Sequence, residues 1–138
     1  MRFLPRSFDA ANRAMSYPAR TIFWFGCYLL VLGTTLVLFP NAVLGLFRVA
    51  PTVEVWIRVT GMLVLILGAY DVLAGLSELH QFIRWSVPLR ASVIFFFAVF
   101  VLLGYAPAIL LLFGLIDLAC AGWTWFALRR TRGARLAA

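Results

Sequence analysis

The sequence predicts an all-α, polytopic integral membrane protein in which four transmembrane helices form a bundle and both termini lie in the cytoplasm. Three observations lead to this fold class. Of the 138 residues, 64% are hydrophobic and only 12% are charged, which is more apolar surface than a soluble domain of this length could bury. The apolar residues are concentrated in four runs of membrane-spanning length. The basic residues mostly flank these runs instead of interrupting them, as expected for membrane topology signals.

The N-terminal residues 1–20 are predicted to form a basic interfacial segment and not a span. They contain four arginines, and Ser7 is a candidate N-cap for a short amphipathic helix that lies on the membrane surface. A regulatory or partner-binding arm is the alternative. Tyr17 and Pro18 are expected to end this helix, because proline interrupts helical hydrogen bonding.

Four spans follow within residues 21–128, because about 20 apolar residues cross the hydrocarbon layer. Pro40 and Asn41 end the first run, which is longer than the apolar region of a typical signal peptide. Pro88 suits a first helical position and is taken as the start of the third helix. The predicted spans are residues 21–39, 53–76, 88–105 and 108–128.

Two connections and a tail complete the predicted topology. Residues 41–52 are apolar but too short to span, which indicates a re-entrant or interfacial turn. Residues 77–88 are too polar to cross and are predicted to be a cytoplasmic interfacial linker. His80 in this linker is interpreted as a surface residue, with a pH-sensing or proton-shuttling role as the alternative. Residues 129–138 form a basic cytoplasmic tail.

The distribution of the basic residues predicts the orientation. All twelve are arginine. Ten lie on the side of the membrane that carries both termini, and only Arg48 and Arg58 lie on the other side. The chain is therefore expected in a bacterial inner membrane with both termini in the cytoplasm. The net charge of +7 fits anionic lipid headgroups better than nucleic acid, because no soluble module carries a basic footprint. The arginines expected to contact headgroups are Arg2, Arg6, Arg13, Arg129, Arg130 and Arg132.

No cofactor or metal is expected. Cys27 and Cys120 lie inside apolar runs without C-x-x-C or metal spacing, and they are interpreted as packing residues. The single histidine, His80, cannot supply two haem ligands or a multi-histidine metal site. An enzyme is disfavoured, because the sequence contains no nucleophile–base pair or metal cluster.

The second span carries a stripe of small residues. Gly61, Gly68 and Gly75 recur every seven residues, and at about 100° per residue they share one half of the helix with Asp71. This pattern indicates close helix packing, since glycine lets helix backbones approach. The alternative is a groove that leaves room for a ligand, an ion or water beside Asp71. Gly114 is expected to serve packing on the fourth span.

Asp71 and Asp117 are the candidate functional residues, because each lies within a predicted span. A charge at a helix centre costs about 2.5–3.5 kcal/mol on insertion scales, so each carboxylate should face the bundle interior, be protonated or be paired. Asp71 is expected roughly 8 Å from the cytoplasmic end at a rise of about 1.5 Å per residue, where Arg90 can pair with it. Asp117 is expected near the midplane with no arginine at its level. Glu54 and Arg58, four residues apart, are the second candidate ion pair.

Five short stretches carry a resemblance to known membrane proteins. They are V-W-I-R at 55–58, L-G-A-Y at 67–70, R-W-S-V at 84–87, L-L-F-G-L-I-D at 111–117 and W-T-W-F-A-L-R-R at 123–130. Through them the chain resembles a small bacterial family of four-helix membrane proteins without assigned function, and in size and topology it is similar to the DoxX-like membrane proteins. The resemblance implies a four-helix membrane fold, and no catalytic residue is carried over from it. Small multidrug exporters differ, because they carry a carboxylate in the first helix and residues 21–39 have none.

Together these features favour a structural or accessory component of the membrane, alone, as a homo-oligomer or with a membrane-protein partner. The alternative is a small proton-coupled transporter or permease that uses Asp117 and Asp71. Asp117 is the stronger candidate for chemistry, since Asp71 has an expected partner in Arg90.

Overall fold

The computed structural model describes residues 15–136, which form five helices and no strand. All of them except the second are long and apolar enough to cross a membrane, which confirms the prediction of an all-helical chain with four membrane-length helices. The predicted amphipathic helix capped by Ser7 lies outside the described residues. The helices are α1 (Tyr17–Leu38), α2 (Pro40–Leu46), α3 (Trp56–Leu76), α4 (His80–Leu102) and α5 (Leu110–Leu136).

Helix α1 begins at Tyr17, earlier than the predicted residue 21, because Ser16 caps it. The Ser16 hydroxyl accepts a hydrogen bond from the Ala19 N–H at 3.4 Å, and Pro18 occupies the first turn. Proline is tolerated there because its missing N–H would have no helical partner. Tyr17 and Pro18 therefore begin helix α1, whereas the helix that they were expected to end lies outside the described residues.

Helix α4 begins at His80, so most of the predicted linker of residues 77–88 is helical. Helix α3 ends in a tight turn in which the Leu79 N–H donates to the Ala74 carbonyl at 3.0 Å and Glu78 has a φ of 52°. This turn reverses the chain within residues 77–79, so no longer linker is needed. Pro88 lies inside the helix, and membrane helices tolerate proline because neighbouring groups satisfy the freed carbonyl. Helix α5 likewise continues through most of the predicted tail.

Helices α1 and α3 pack antiparallel along a seam of glycines. A Cβ atom built on Gly26 would lie 2.8 Å from the Gly68 carbonyl oxygen, and one on Gly75 would lie 2.9 Å from the Ala19 carbonyl oxygen. Real Cβ atoms essentially never approach other atoms below 3.0 Å, so the two backbones are in direct contact. The seam, named here the glycine seam, consists of Gly26 and Gly33 on α1 and Gly61, Gly68 and Gly75 on α3.

Helices α4 and α5 form the second antiparallel pair, in which Gly114 lies against Ile94. The two pairs meet mainly through α1 and α5. The fully buried side chains lie at the end of the bundle where α1 and α4 begin and α3 and α5 end, which we name the basic end. The largest of these side chains are Ile22, Ile83, Thr21, Thr124 and Pro18.

The outer surface of the bundle is apolar. Trp24, Val31 and Leu67 are among the many large hydrophobic side chains that are more than half exposed. Such side chains would face water in a soluble protein, whereas on membrane-length helices they face lipid. The fold is that of a multi-pass membrane protein.

Candidate functional site

Arg90 lies at the centre of the most polar region of the bundle, and only 7% of it is exposed. Its Nη2 donates a hydrogen bond to the Thr124 hydroxyl at 2.7 Å and approaches the Cys120 carbonyl at 3.5 Å. The guanidinium carbon lies 4.3 Å from the centre of the Phe25 ring, a cation–π contact that replaces part of the lost hydration. The side chain from α4 is thus held by groups from α1 and α5.

Two buried threonines extend this contact from α5 to α1. Thr124 is fully buried, and its hydroxyl donates to the Cys120 carbonyl at 3.0 Å while accepting from Arg90. The Thr21 hydroxyl lies 2.9 Å from the Thr124 hydroxyl and 2.8 Å from the Pro18 carbonyl. A chain of polar groups therefore joins α4, α5 and α1. Sequence reasoning missed it, although Thr124 stands one helical turn after Cys120 and two turns after Asp117.

The two carboxylates predicted as functional residues both lie near this arginine. Asp71 on α3 is only 8% exposed, and Asp117 on α5 is partly buried. Each interacts electrostatically with the Arg90 guanidinium, and Asp71 also interacts with Asp117. Four membrane-length helices therefore surround one group of three charges. We name Asp71, Arg90 and Asp117 the charge cluster.

The expected Asp71–Arg90 ion pair is not made by direct contact. Among residues 15–136 the ion pair within 4.0 Å is that of His80 with Glu78, at 3.8 Å. The guanidinium is held instead by Thr124 and by the Phe25 ring. Its Nε and Nη1 atoms are buried and have no hydrogen-bond partner in the described part of the chain. The Asp71 carboxylate and the Arg90 guanidinium are therefore separated beyond hydrogen-bond distance, a spacing that a bridging water or ligand can fill.

Tyr28 and Cys120 complete the polar surroundings of Asp117. Both are partly buried, and both interact electrostatically with the Asp117 carboxylate. Tyr28 lies on α1, as Thr21 does. This helix therefore contributes two hydroxyls, that of Thr21 towards the basic end and that of Tyr28 deeper in the bundle. Cys27 and Cys120 are both free thiols.

The second expected ion pair, Glu54 with Arg58, is also not formed in the described residues. Helix α3 begins at Trp56, so Glu54 precedes it, and a spacing of four residues places two side chains together only when both belong to one helix. The Arg58 Nη1 atom instead donates to the Val37 carbonyl at the end of α1. This contact lies at the end of the bundle opposite the basic end.

The four glycines predicted to serve packing lie at helix contacts. Gly61, Gly68 and Gly75 face α1 in the glycine seam, and Gly114 faces α4. The groove that was the alternative for this stripe is occupied by the α1 backbone. Asp71 is therefore beside the seam, and its surroundings are set by α1, α4 and α5.

Comparison with known proteins identifies no relative of this chain. No protein-family model, no curated protein and no solved structure matches the chain. The fold and the site define the class instead: a multi-pass, all-helical membrane protein with four membrane-length helices and a buried group of three charges.

Proposed function

We propose that this chain is a small proton-coupled transporter or permease in which the charge cluster takes up and releases one proton. One observation carries the proposal: two carboxylates, Asp71 and Asp117, lie near one buried guanidinium, that of Arg90, without direct contact, on membrane-length helices. An ionisable residue at such a depth marks an ion or proton pathway more often than it serves packing.

The proposal follows from the charge balance of the cluster. One guanidinium with two ionised carboxylates leaves one uncompensated negative charge, and an uncompensated charge in a low-dielectric region is strongly unfavourable. Two carboxylates that share a site can hold one proton between them and titrate as a pair. Binding of a proton, or of another monovalent cation, therefore neutralises the cluster. Asp117 is the more exposed of the two carboxylates and is proposed to exchange the proton first.

The proposed location is a bacterial inner membrane, with both termini in the cytoplasm. The basic end holds Arg84, Arg129 and Arg132. The opposite end of the bundle, where α1 ends and α3 begins, holds Arg48 and Arg58. This asymmetry supports the positive-inside orientation. The N-terminal interfacial helix, the contacts of the tail with lipid headgroups and the resemblance to DoxX-like proteins stay predictions within this proposal.

A structural or accessory role is the second candidate function. The observation that favours it is the polar chain from Arg90 through Thr124 to Thr21, which joins three helices without requiring any ligand. In that role the charges would specify how the helices pair, and a homo-oligomer or a membrane-protein partner would cover part of the apolar surface.

Infrared spectroscopy of the reconstituted protein tests proton exchange without knowledge of the solute. Difference spectra between acidic and alkaline pH should contain a high-frequency carbonyl band from a protonated acid in apolar surroundings. Asp71→Asn and Asp117→Asn should each remove or shift this band, because the two carboxylates share the proton. Glu54→Gln is the matched control, since Glu54 is exposed and precedes α3, and it should alter only the band of solvated acids.

Flux measurements then separate the two candidate functions. Proteoliposomes with an imposed pH gradient would be screened with a panel of labelled small organic solutes, comparing the wild type with Asp117→Asn. Uptake that depends on the gradient and disappears in the variant supports the transporter. A high-frequency band that is absent from the wild type, or is unchanged in both aspartate variants, contradicts proton exchange and leaves the accessory role.

A further inference from the structure

A cavity of about 730 Å³ lies at the basic end of the bundle, between α4 and α5. Neither Asp71 nor Asp117 lines it, so it is separate from the charge cluster. Four basic side chains line it, and we name it the basic cavity. They are His80 and Arg84 from α4 and Arg129 and Arg132 from α5.

Helical spacing explains why these side chains converge. His80 and Arg84 are four residues apart on α4, and Arg129 and Arg132 are three apart on α5, so each pair occupies one helix face. Trp125 precedes Arg129 by four residues and lines the same cavity. Because α4 and α5 pack antiparallel, the start of one and the end of the other bring the two basic faces together.

One of these guanidinium groups is held in place by an aromatic ring. The Arg129 guanidinium carbon lies 3.9 Å from the centre of the Trp125 ring. Stacking of this kind leaves the N–H groups at the edge of the guanidinium plane free to donate. The arginine is therefore partly ordered before any ligand binds, which lowers the entropy lost on binding.

The basic cavity lacks a compensating carboxylate in the described part of the chain. The ion pair found there joins His80 to Glu78 at 3.8 Å. The Glu78 carboxylate also accepts hydrogen bonds from the Ser16 N–H at 2.5 Å and the Ser16 hydroxyl at 2.6 Å, so it is engaged at the start of α1. Three guanidinium groups then surround one cavity, and their mutual repulsion is relieved by an anion.

We infer that the basic cavity binds a phosphate group, carried either by an anionic lipid headgroup or by free phosphate. Guanidinium groups match the geometry of phosphate oxygens and bind them with paired hydrogen bonds. Trp125 lines the cavity, and tryptophan is a residue type that marks the headgroup level of a membrane. Basic pockets between membrane helices bind lipid headgroups. The volume lies within the range of about 300–1,000 Å³ that is usual for ligand sites.

This site is independent of the proposed transport function. Arg90 belongs to the charge cluster, whereas the arginines of the basic cavity lie nearer the membrane surface. Loss of phosphate binding would leave the infrared band of the charge cluster unchanged, and loss of that band would leave phosphate binding unchanged. The two proposals can therefore be refuted separately.

The test measures binding to the purified full-length protein and uses variants of equal charge. Native mass spectrometry in detergent would follow adducts of phosphatidic acid and phosphatidylglycerol, with zwitterionic phosphatidylcholine as the reference, and calorimetry would follow inorganic phosphate. Arg84→Gln/Arg129→Gln removes two lining arginines. Arg20→Gln/Arg48→Gln is the matched control, because it removes the same number of positive charges and neither residue lines the cavity.

We expect the first double variant to weaken binding by roughly tenfold or more, since each charge-assisted hydrogen bond is worth a factor of that order, and the control to change it by less than about threefold. Anionic lipid adducts that inorganic phosphate does not displace identify a headgroup as the source. Inorganic phosphate binding that is lost in the same variant identifies free phosphate.

Equal weakening in both double variants overturns the inference, because it reveals diffuse charge attraction. Absence of saturable binding of every probe also overturns it. If Arg84→Gln/Arg129→Gln does not fold, as judged by circular dichroism, Arg84→Lys/Arg129→Lys replaces it. That variant keeps the charge but loses the paired hydrogen bonds, so it should still bind more weakly than the wild type, and unchanged binding would contradict the assignment.

Discussion

Replacing Gly68 with alanine tests whether the glycine seam holds α1 and α3 at backbone contact. The added Cβ atom would lie 2.8 Å from the Leu30 nitrogen and 2.9 Å from the Gly26 oxygen. Ordinary contact begins at 3.4 Å, so the helices must separate by about 0.5–0.6 Å at this point, the difference between those distances. Both obstructing atoms belong to the backbone, so no side-chain rotation can relieve the clash.

Two opposing energies determine the size of the effect. Overpacking of this kind costs about 1–3 kcal/mol, whereas alanine is favoured over glycine within a helix by about 1 kcal/mol. Gly122→Ala measures the second energy alone, because Gly122 lies in α5 and a Cβ atom there would meet nothing within 4 Å. The difference in unfolding free energy between the two variants should therefore be about 1–3 kcal/mol, with Gly68→Ala the less stable.

The measurement is reversible unfolding in mixed micelles, with sodium dodecyl sulfate as denaturant and helical circular dichroism as the signal. A paired titration of both variants cancels the uncertainty of extrapolating to zero denaturant. If Gly68→Ala were stabilised as much as Gly122→Ala, the close contact between α1 and α3 would be refuted. Gly33→Ala provides a repeat at a second position of the seam, where the Cβ atom would lie 2.7 Å from the Gly61 oxygen.

Predictions at three further positions use the same unfolding assay. Thr124→Val should destabilise the protein by about 1–3 kcal/mol, because the buried Arg90 Nη2 loses its closer acceptor. Thr124→Ser keeps that acceptor and should cost less than about 1 kcal/mol, the contribution of one buried methyl group. Equal losses in the two variants would contradict the role given to the hydroxyl. Arg48→Gly should stabilise by about 1 kcal/mol, since Arg48 has a φ of 56° that favours glycine, and Gly104→Ala should destabilise by a similar amount because its φ is 75°. Shifts of the opposite sign would contradict this account of the two turns.

The helix termini show where local sequence signals are ambiguous. Pro88 is equally compatible with the first turn of a helix and with the interior of a membrane helix, and the structure has the second. Tyr17 and Pro18 stand at a helix start because Ser16 caps the helix, a signal that is readable from the sequence beside them. The αL conformation of Glu78 lets α3 turn sharply into α4, and nothing about a glutamate predicts it.

Much of the architecture is a property of the sequence alone. Apolar runs of membrane length determine four helices, because transfer of side chains from water to lipid is additive along the chain and requires no knowledge of neighbours. The sequence alone also identifies the small-residue face of α3 and the two intramembrane carboxylates, Asp71 and Asp117. The contacts of Arg90 are not, since they depend on how four helices are rotated and crossed. Only the tertiary structure decides that Thr124 and Phe25 hold the guanidinium, and that two carboxylates lie near the same arginine without contacting it.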